Sequence, residues 1–279
     1  MISAIVLNYK TPKATLKCVE SLMDQRYISN VIVVNNGIKD NTLDECQIGD
    51  DGTSVFIVHT GANLGYARGN NYGVSYVLRE KISHDYLLVV NSDIIVPSEF
   101  SFAPLIDKIS KNPSIAIISP TIIDLNTKKS QGPYFKEYIL FSLIETLIPI
   151  VFIFRKQIEK YLNKHSRFVY RTMGSFLLID TVIFENIGFF DENTFLGSEE
   201  EILAEKLKLI NKKFYFLADE YVLHDHGHSR KNESSFFVKK AFLDSKLYYF
   251  KTFRRSNYIL ISVIHFTERL RIFMNKLRW

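Results

Sequence analysis

The first 125 residues alternate between short apolar runs of strand length and segments whose apolar residues recur at helical spacing. Strands that alternate with helices predict right-handed crossovers and a mixed, mostly parallel sheet with helices on its faces, a Rossmann-like α/β fold. The apolar runs end in polar or glycine residues and read as strands buried on both faces. The predicted strands cover residues 3–10, 30–37, 54–61, 85–93 and 115–124, and helices are predicted after Thr11, over 67–79 and over 98–111.

Three of these predicted strands end in polar side chains, namely Asn8, the pair Asn35 and Asn36, and the segment 91–93. Open parallel sheets bind their ligands at the carboxyl ends of the strands. We therefore expect these side chains to converge on one edge of the sheet and to form a site there. Before the first helix, Thr11 and Pro12 supply a predicted cap and first helical position.

The second half has a different pattern and predicts fewer regular units. Residues 168–179 and 213–223 read as strands, and residues 199–211 read as a helix. The longest apolar run covers residues 138–154 and contains Glu145 and Pro149. These two residues favour a core helix or a segment dipping into one leaflet over a full membrane span.

Composition excludes several classes of protein. The chain has 279 residues, of which 47% are hydrophobic and 23% charged, so it is long enough for one large domain with a real core. Its two cysteines, Cys18 and Cys46, exclude a disulfide scaffold and a cysteine-rich zinc module. The first apolar run is short and no basic leader precedes it, so we expect no signal peptide.

The net charge of +5 is unevenly distributed along the chain. Residues 230–279 contain 12 Lys or Arg and 3 Asp or Glu, together with eleven aromatic residues, which gives them +9 and leaves −4 on the rest. Basic and aromatic residues together are typical of attachment to an anionic membrane surface. Nucleic acid is a less favoured partner than a membrane because the acidic body offers no extended basic groove, and we expect none. The alternative is that this tail packs against the body or a second subunit, as in a homodimer.

Two polar segments are candidate metal ligands. Asn91 and Asp93 are two residues apart and project from the same side of an extended chain, and carboxylate and amide oxygens suit Mg²⁺ or Mn²⁺. The alternative interpretation is an ordinary Asx turn after a strand. His224 begins a segment with alternate histidines and could add an imidazole ligand. Its alternative is a solvated polar loop.

A glycine-rich segment and an acidic helix start are the other candidates. Residues 63–71, with glycines at 65 and 69, allow close approach of a ligand to the backbone, although an ordinary turn explains them as well. At the helix start, Ser198 and Glu201 predict a capping box. Glu199 and Glu200 lie in the first helical turn and are candidates for a general base or for plain surface acids.

These segments, in this order, resemble a family 2 glycosyltransferase of the GT-A fold, most closely the rhamnosyltransferase-like enzymes of bacterial surface polysaccharide synthesis. The resemblance covers residues 2–229. It departs from the family pattern at Asn35 and Glu200, where relatives carry Asp, at Ile202, which replaces an acid, and at Lys206, which replaces Arg. The matching segments are Asn8, 33–36, 63–71, 91–93, 174–176, 188–195, 199–206 and His224.

The resemblance implies a catalytic domain over residues 1–229, with a nucleotide-sugar-binding half (1–125) and an acceptor half (126–229), followed by a basic helical tail (230–279). It implies Glu200, or else Glu199, as the catalytic base. The implied ligands of a divalent cation, Mn²⁺ or Mg²⁺, are Asp93, Asn91 and His224. The implied donor contacts are Asn8, Asn35, Asn63, Gly65, Arg68, Asn70, Asn91 and Ser92, and the implied acceptor or substrate contacts are Gly174, Ser175 and Asp191.

The implied reaction is inverting transfer of a sugar from a UDP- or dTDP-linked donor to a saccharide acceptor, which we expect to be lipid-linked. The expected location is cytoplasmic and peripheral, at the inner face of the bacterial cytoplasmic membrane. Two alternatives stay open. One is a non-catalytic nucleotide-sugar-binding or assembly protein, and the other is a glycoside hydrolase, which also needs paired carboxylates but no diphosphate–metal site.

Overall fold

The computed structural model describes residues 1–37, 53–134, 163–225 and 235–256, with residues 258, 261–263 and 265–266 beyond them. Within these residues the chain forms one mixed sheet with helices on both faces. The apolar run over residues 138–154 and the two histidines that follow His224 lie outside the described residues.

Ten strands belong to the described part of the sheet. They are β1 (Ile2–Asn8), β2 (Ile28–Asn35), β3 (Ser54–His59), β4 (Tyr86–Asn91), β5 (Ile94–Ile95), β6 (Ile115–Asp124), β7 (Ser130–Gln131), β8 (Arg167–Val169), β9 (Phe176–Asp180) and β10 (Lys213–His224). The described helices are α1 (Pro12–Met23), α2 (Gly65–Arg79), α3 (Ala103–Lys111), α4 (Thr181–Asn186), α5 (Glu199–Leu209) and α6 (Ser235–Thr252).

The strand order is β3-β2-β1-β4-β9-β6-β10-β5, with β7 paired to β6 and β8 paired to β10. Strands β3, β2, β1 and β4 pair in parallel, as do β6 and β10, whereas β9 runs antiparallel between β4 and β6. The sheet is therefore mixed and mostly parallel, as predicted. One antiparallel strand joins the two parallel groups.

Each face of the sheet carries its own apolar core, because successive residues of a buried strand point to opposite faces. Val6 of β1 faces Cys18 and Leu22 of α1, in the cluster that also contains Leu105 of α3. Ile5 lies in the other cluster, with residues of α2 and α5. Covering both faces explains why the strands read as continuous apolar runs rather than as alternating patterns.

The predicted strands and helices of the first half are confirmed, with shifts of at most two residues at their ends, except that α3 begins at Ala103 rather than at residue 98. The single strand predicted over residues 168–179 is wrong. The chain forms β8 there, pairs it with β10, and then begins β9 at Phe176 between β4 and β6. The segment changes hydrogen-bonding partners, and apolar periodicity does not report such a change.

Two predicted helix caps are also wrong. Thr11 and Ser198 occupy the N-cap positions of α1 and α5, but neither side chain makes a capping hydrogen bond. The Thr11 hydroxyl donates to Asn8 instead, and the Glu201 carboxylate pairs with Arg171 at 2.9 Å. A neighbouring residue engages the Thr11 side chain, and a tertiary ion pair engages that of Glu201.

Helix α6, the start of the basic tail, contacts the body of the protein. Tyr249 and Phe250 are buried against Ile202 of α5. The Tyr249 hydroxyl lies 2.8 Å from that of Tyr170, which donates to Glu205. The tail is predicted to be helical, and α6 covers residues 235–252 of it. Across the ranges given above, no helix has the length and apolar character needed to cross a bilayer.

Candidate active site

Strands β1, β2 and β4 end side by side at one edge of the sheet. In the parallel register Asn8 lies opposite Asn35, and Leu7 lies opposite Asn91. The predicted convergence of the polar strand ends is therefore confirmed. A cleft of about 190 Å³ opens at this edge. Small-molecule pockets usually measure roughly 300–1,000 Å³, so a nucleotide sugar would extend beyond the described walls.

The cleft combines polar and apolar lining residues from different segments. Five lining residues were predicted as site residues: Asn63, Gly65, Asn91, Ser92 and Asp93. A sixth, Asn36, was predicted only to lie at this edge of the sheet. Sequence reasoning missed the other polar ones, Tyr9 and Tyr66. It also missed an apolar patch, defined here as Phe195, Leu196, Phe237, Val238 and Phe242.

Asn8 is buried and its side chain is committed to protein partners. Its amide donates to the Asn35 Oδ1 at 3.0 Å, and its Oδ1 accepts from the Thr11 backbone N–H at 3.1 Å and the Thr15 hydroxyl at 2.9 Å. Asn35 is also buried, with its amide 3.3 Å from the His59 Nδ1. The two asparagines thus join β1, β2, β3 and α1 beneath the cleft. Direct contact with a nucleobase stays a prediction for both.

Asn36 holds the glycine-rich segment in place. Its Oδ1 accepts from the Leu64 N–H at 2.9 Å, and its amide donates to the Gly65 carbonyl at 3.0 Å. The Asn63 Oδ1 accepts from the Gly65 N–H at 3.0 Å within the same turn. The sequence signal for Asn36 was the doubled asparagine at the end of β2, which does not tell which of the two residues faces the loop.

Gly65 is required by its backbone conformation and by its surroundings. Its φ is +81°, a region that side chains rarely tolerate, and a Cβ atom there would lie 2.4 Å from the Phe195 carbonyl oxygen. The same oxygen accepts from the Tyr66 N–H at 2.8 Å. The start of α2 is thereby joined directly to the loop that precedes α5.

The predicted donor contacts Arg68 and Asn70 lie on α2. The Arg68 Nε donates to the Glu192 carbonyl at 3.1 Å, and its side chain is about half exposed. The Asn70 amide donates to the Tyr66 carbonyl at 2.9 Å, and its buried Oδ1 has no partner among the described residues. Phosphate or sugar contacts by these two residues stay predictions.

The neighbouring Asn71, which the predicted site did not include, fixes the loop before α5. Its amide donates to the Phe190 carbonyl at 3.0 Å, and its Oδ1 accepts from the Phe190 N–H at 3.2 Å. Lys206 of α5 donates to the Phe189 carbonyl at 2.8 Å, and burial lowers the pKa of its ammonium group. Helices α2 and α5 therefore hold this loop from two sides.

Asp93 and His224 form a nearly buried pair at the cleft. The His224 Nε2 lies 3.1 Å from the Asp93 Oδ1, and its Nδ1 lies 3.0 Å from the Gln131 Oε1. Strands β5 and β10 hold the two residues together, since Ile94 pairs with His224 in an antiparallel register. The alternative of a solvated loop histidine is wrong, because His224 is only 3% exposed.

This pair fits a divalent cation in its donor chemistry. A carboxylate oxygen and an imidazole nitrogen are ligands that Mn²⁺ accepts, and the amide of Asn91 lines the same cleft. In the part of the chain covered by the structure, no group of three or more His, Cys, Asp or Glu side chains could hold a metal ion. Ser92, beside Asn91, lies 3.2 Å from the Thr11 hydroxyl.

Three acids begin α5, and each has a different environment. Glu201 is paired with Arg171, as described above. The Glu200 carboxylate lies against Gly174, where an added Cβ would approach its Oε1 to 2.1 Å, and the Gly174 backbone N–H donates to it. Glu199 is 4% exposed, and its Oε1 has no partner among the described residues.

These environments set the ionisation of the pair. Burial raises the pKa of Glu200, but the nearby Arg171 and the backbone N–H groups oppose this rise. Burial, and then the charge of Glu200, raise the pKa of Glu199 to about 8. Arg171 favours the charged form of Glu200, whereas burial and the charge of Glu200 both favour the protonated form of Glu199.

Tyr66 connects the acids to the cleft. Its hydroxyl donates to the Gly174 carbonyl at 2.6 Å, and its pKa is raised by burial and then by the charges of Glu200 and Glu199. The carbonyl of the next residue, Ser175, accepts from the Asn91 N–H. The Ser175 hydroxyl is buried and has no partner in the described chain. The segment at 174–175 therefore lies between the acids and the strand ends.

Asp191, predicted as a substrate contact or a structural residue, has structural partners. Its Oδ1 accepts from the Asn193 N–H at 2.9 Å, and its Oδ2 accepts from the Tyr248 hydroxyl at 3.1 Å. Tyr248 belongs to α6, so Asp191 ties the loop before α5 to the tail helix. A substrate contact stays a prediction.

Known proteins share the sequence pattern and the fold of this chain. The sequence model of Glycosyl transferase family 2 matches residues 3–192. The chain is 25% identical over 271 residues to the low-salt glycan biosynthesis hexosyltransferase Agl10 of Haloferax volcanii, covering 94% of this chain and 81% of that protein.

Two solved structures share the fold at low sequence identity. GalNAc-T7 with UDP, GalNAc and Mn²⁺ superposes with a TM-score of 0.62 at 15% identity. The match covers 90% of this chain and 49% of that one. The mannosyltransferase PcManGT from Pyrobaculum calidifontis, with GDP-Man and Mn²⁺, superposes with a TM-score of 0.58 at 12% identity. The match covers 95% of this chain and 69% of that one. The predicted GT-A fold is confirmed. Since the family model covers more than half of the sequence, this chain belongs to glycosyl transferase family 2.

Proposed function

We propose that this chain transfers a sugar from a UDP- or dTDP-linked donor to a hydroxyl of a saccharide acceptor, with inversion at the anomeric carbon. One observation carries the proposal. Tyr66 lines the cleft together with Asp93, and its hydroxyl donates to Gly174, against which the Glu200 carboxylate lies. A single side chain thus joins a site suited to a diphosphate with a site suited to a base.

Glu200 is the base in this proposal. The acceptor oxygen attacks the anomeric carbon and forms the new glycosidic bond while the bond from that carbon to the diphosphate breaks, and its proton passes to Glu200. A single displacement inverts the anomeric centre without a covalent enzyme intermediate. Arg171 and the Gly174 N–H support the ionised form of Glu200 that this step requires. Glu199 keeps its proton and therefore does not compete as a base.

Asp93 and His224, with Asn91, are the residues that would hold Mn²⁺ or Mg²⁺. When bound, such an ion supplies Lewis-acid stabilisation of the charge that develops on the leaving nucleotide. The short distance between the Asp93 carboxylate and the His224 imidazole supports this assignment. The presence of Mn²⁺ in both similar structures described above also supports it.

The donor would bind along the strand ends. We assign the nucleoside to the region of Tyr9 and Asn63, which line the cleft, with Asn8 and Asn35 placing those residues from below. The diphosphate would then reach Asp93. Ser92 and Asn91 complete this polar part of the cleft.

For the acceptor, we propose a lipid-linked saccharide of bacterial surface polysaccharide synthesis, at the inner face of the cytoplasmic membrane. The excess of nine positive charges on residues 230–279 supports attraction to an anionic surface. We likewise propose the division into a donor half (1–125), an acceptor half (126–229) and a tail. Part of the tail contributes to the cleft as well, since α6 supplies three of its lining residues.

Thermal shift measurements with UDP, dTDP and GDP, each with and without Mn²⁺, test the donor site. A nucleotide at about a hundred times its Kd stabilises the folded chain by about 3 kcal/mol. This corresponds to an increase of about 5 °C in Tm for a chain of this size. We expect UDP or dTDP to give such a shift, and Mn²⁺ to increase it.

The substitution Asp93→Ala should remove the part of the shift that depends on Mn²⁺. Asp107→Ala is the matched control, because Asp107 lies exposed on α3 and pairs only with Lys111 among the described contacts. If no nucleotide shifts the transition, or if Asp93→Ala responds like the wild type, the proposed donor site is wrong.

A further inference from the structure

We propose that the apolar patch of the cleft binds a hydrocarbon chain attached to a phosphate, so that an amphiphilic acceptor contacts helix α6 while its sugar reaches Glu200. The inference rests on the proposed function, and it assigns to the start of α6 a part in substrate binding. Phe237 and Phe242 are its central residues, since both line the cleft although they lie far from the other lining residues in the sequence.

The patch is fixed by contacts between α6 and the loop before α5. The rings of Phe195 and Phe237 meet edge to face with their centroids 5.4 Å apart. Phe242 occupies the space where a side chain at residue 197 would project, because a Cβ on Gly197 would lie 2.3 Å from the Phe242 Cδ1. These contacts place the first turns of α6 at the cleft as a built part of its wall.

The chemistry of the patch selects the class of ligand. Its five side chains consist of carbon and hydrogen only, whereas the hydrogen-bonding groups of the cleft belong to the strand ends and to α2. A nucleobase or a sugar ring needs donors and acceptors around its polar edge, and the patch offers none from its side chains. A hydrocarbon chain needs only apolar surface, and its burial contributes free energy in proportion to the area covered.

The exposure of the patch leaves surface for such a ligand. Phe237 is 42% exposed and Phe242 is 39% exposed, so both have apolar area still accessible to a ligand. Lys239 and Lys240 lie between Val238 and Phe242 in the sequence, in a segment with a charge of +9, and Lys240 pairs with Asp244 at 2.8 Å. Cations beside an apolar surface favour an amphiphile with an anionic head over an uncharged one.

The test uses decyl phosphate, below its micellar concentration, as the probe, and isothermal titration calorimetry as the measurement. We expect the wild type to bind decyl phosphate at least tenfold more tightly than butyl phosphate. Phe237→Ala should weaken the binding of decyl phosphate by about tenfold, and Val238→Asn should also weaken it. Phe236→Ala is the matched control, because Phe236 is the neighbouring aromatic residue, is 64% exposed and does not line the cleft, so its effect should stay below about twofold.

Three results would overturn the inference. In the first, decyl phosphate does not bind the wild type. In the second, Phe237→Ala and Val238→Asn bind it as tightly as the wild type does. In the third, Phe236→Ala weakens its binding as much as Phe237→Ala does. The last result would indicate a surface that faces a membrane rather than a site in the cleft. The same samples are titrated with UDP and with dTDP, each with Mn²⁺. Nucleotide binding without decyl phosphate binding refutes the hydrocarbon site alone, whereas failure of both nucleotides to bind the wild type refutes the proposed function.

Discussion

Replacing Glu199 with Gln tests whether Glu199 holds the proton of the buried acid pair. Glu199 is 4% exposed and has an oxygen without a partner among the described residues, so its charged form is poorly stabilised. Glutamine has nearly the same shape and stays neutral at every pH. The substitution therefore removes the titration and changes little else.

The expected change in stability with pH follows from the pKa of Glu199. Folding raises the pKa of Glu199 from 4.5 to about 8, so within this window the folded chain holds a proton that the unfolded chain has released. The free energy of unfolding therefore falls as the pH rises through the window. Between about pH 5 and about pH 8 this loss amounts to about 3 kcal/mol, or about 5 °C in Tm for a chain of this length.

Melting curves recorded by circular dichroism at several pH values across this window provide the assay. Glu199→Gln should match the wild type near pH 5 and melt about 5 °C higher near pH 8. Glu185→Gln, at an exposed position of α4, serves as the control and should follow the wild type throughout. The reasoning is refuted if Glu199→Gln keeps the pH dependence of the wild type, or if Glu200→Gln removes it instead.

Two further substitutions test the geometry around the cleft. Gly65→Ala should destabilise the fold by about 2 kcal/mol or more, because φ is +81° and the new methyl group would meet the Phe195 carbonyl. Chemical denaturation measures this, and a loss of less than about 0.5 kcal/mol would contradict it. Tyr66→Phe should lower the free energy of unfolding by about 1–2 kcal/mol, because it leaves the Gly174 carbonyl without its donor. It should also slow sugar transfer severalfold, because Gly174 positions Glu200. An unchanged rate and an unchanged Tm would show that this hydrogen bond does not position Glu200.

Local sequence patterns predicted the sheet and its binding edge. The apolar runs that end at Asn8, Asn35 and Asn91 are buried parallel strands, and parallel pairing alone brings their ends together. Asp93 follows β4 by two residues, so its position at this edge could be predicted as well. His224 could be predicted as a candidate ligand from its residue type, but its 3.1 Å approach to Asp93 depends on the pairing of β5 with β10.

Side-chain partners across long sequence distances could not be predicted in the same way. Ser198 and Glu201 have the spacing of a capping box, yet Arg171 provides a stronger, charged partner for Glu201. Capping contributes about 1 kcal/mol, so a nearly buried ion pair can override it. The break between β8 and β9 has a similar origin, since the choice of strand partner is a property of the whole sheet.

The contacts of the tail with the rest of the protein could not be predicted from local sequence patterns either. Its charge and aromatic content indicated attachment to a surface, and one alternative was that it packs against the body. In the described residues α6 does contact the body, through Tyr249 against Tyr170 and Phe237 against Phe195. No local pattern near Phe237 indicates that it lines a cleft together with Phe195, Leu196 and residues of the first hundred, because that contact depends on how the chain returns across the sheet.

The most direct test of the central claim is the rate of sugar transfer by Glu200→Gln. The assay uses the donor selected by thermal shift and a glycolipid extract as acceptor, and Glu185→Gln is the control. We predict that Glu200→Gln binds the nucleotide with Mn²⁺ within about twofold of the wild type. We predict that it transfers sugar roughly a hundredfold to ten-thousandfold more slowly, since a general base contributes that much. Transfer at the wild-type rate, with nucleotide binding intact, would contradict the assignment of Glu200 as the base.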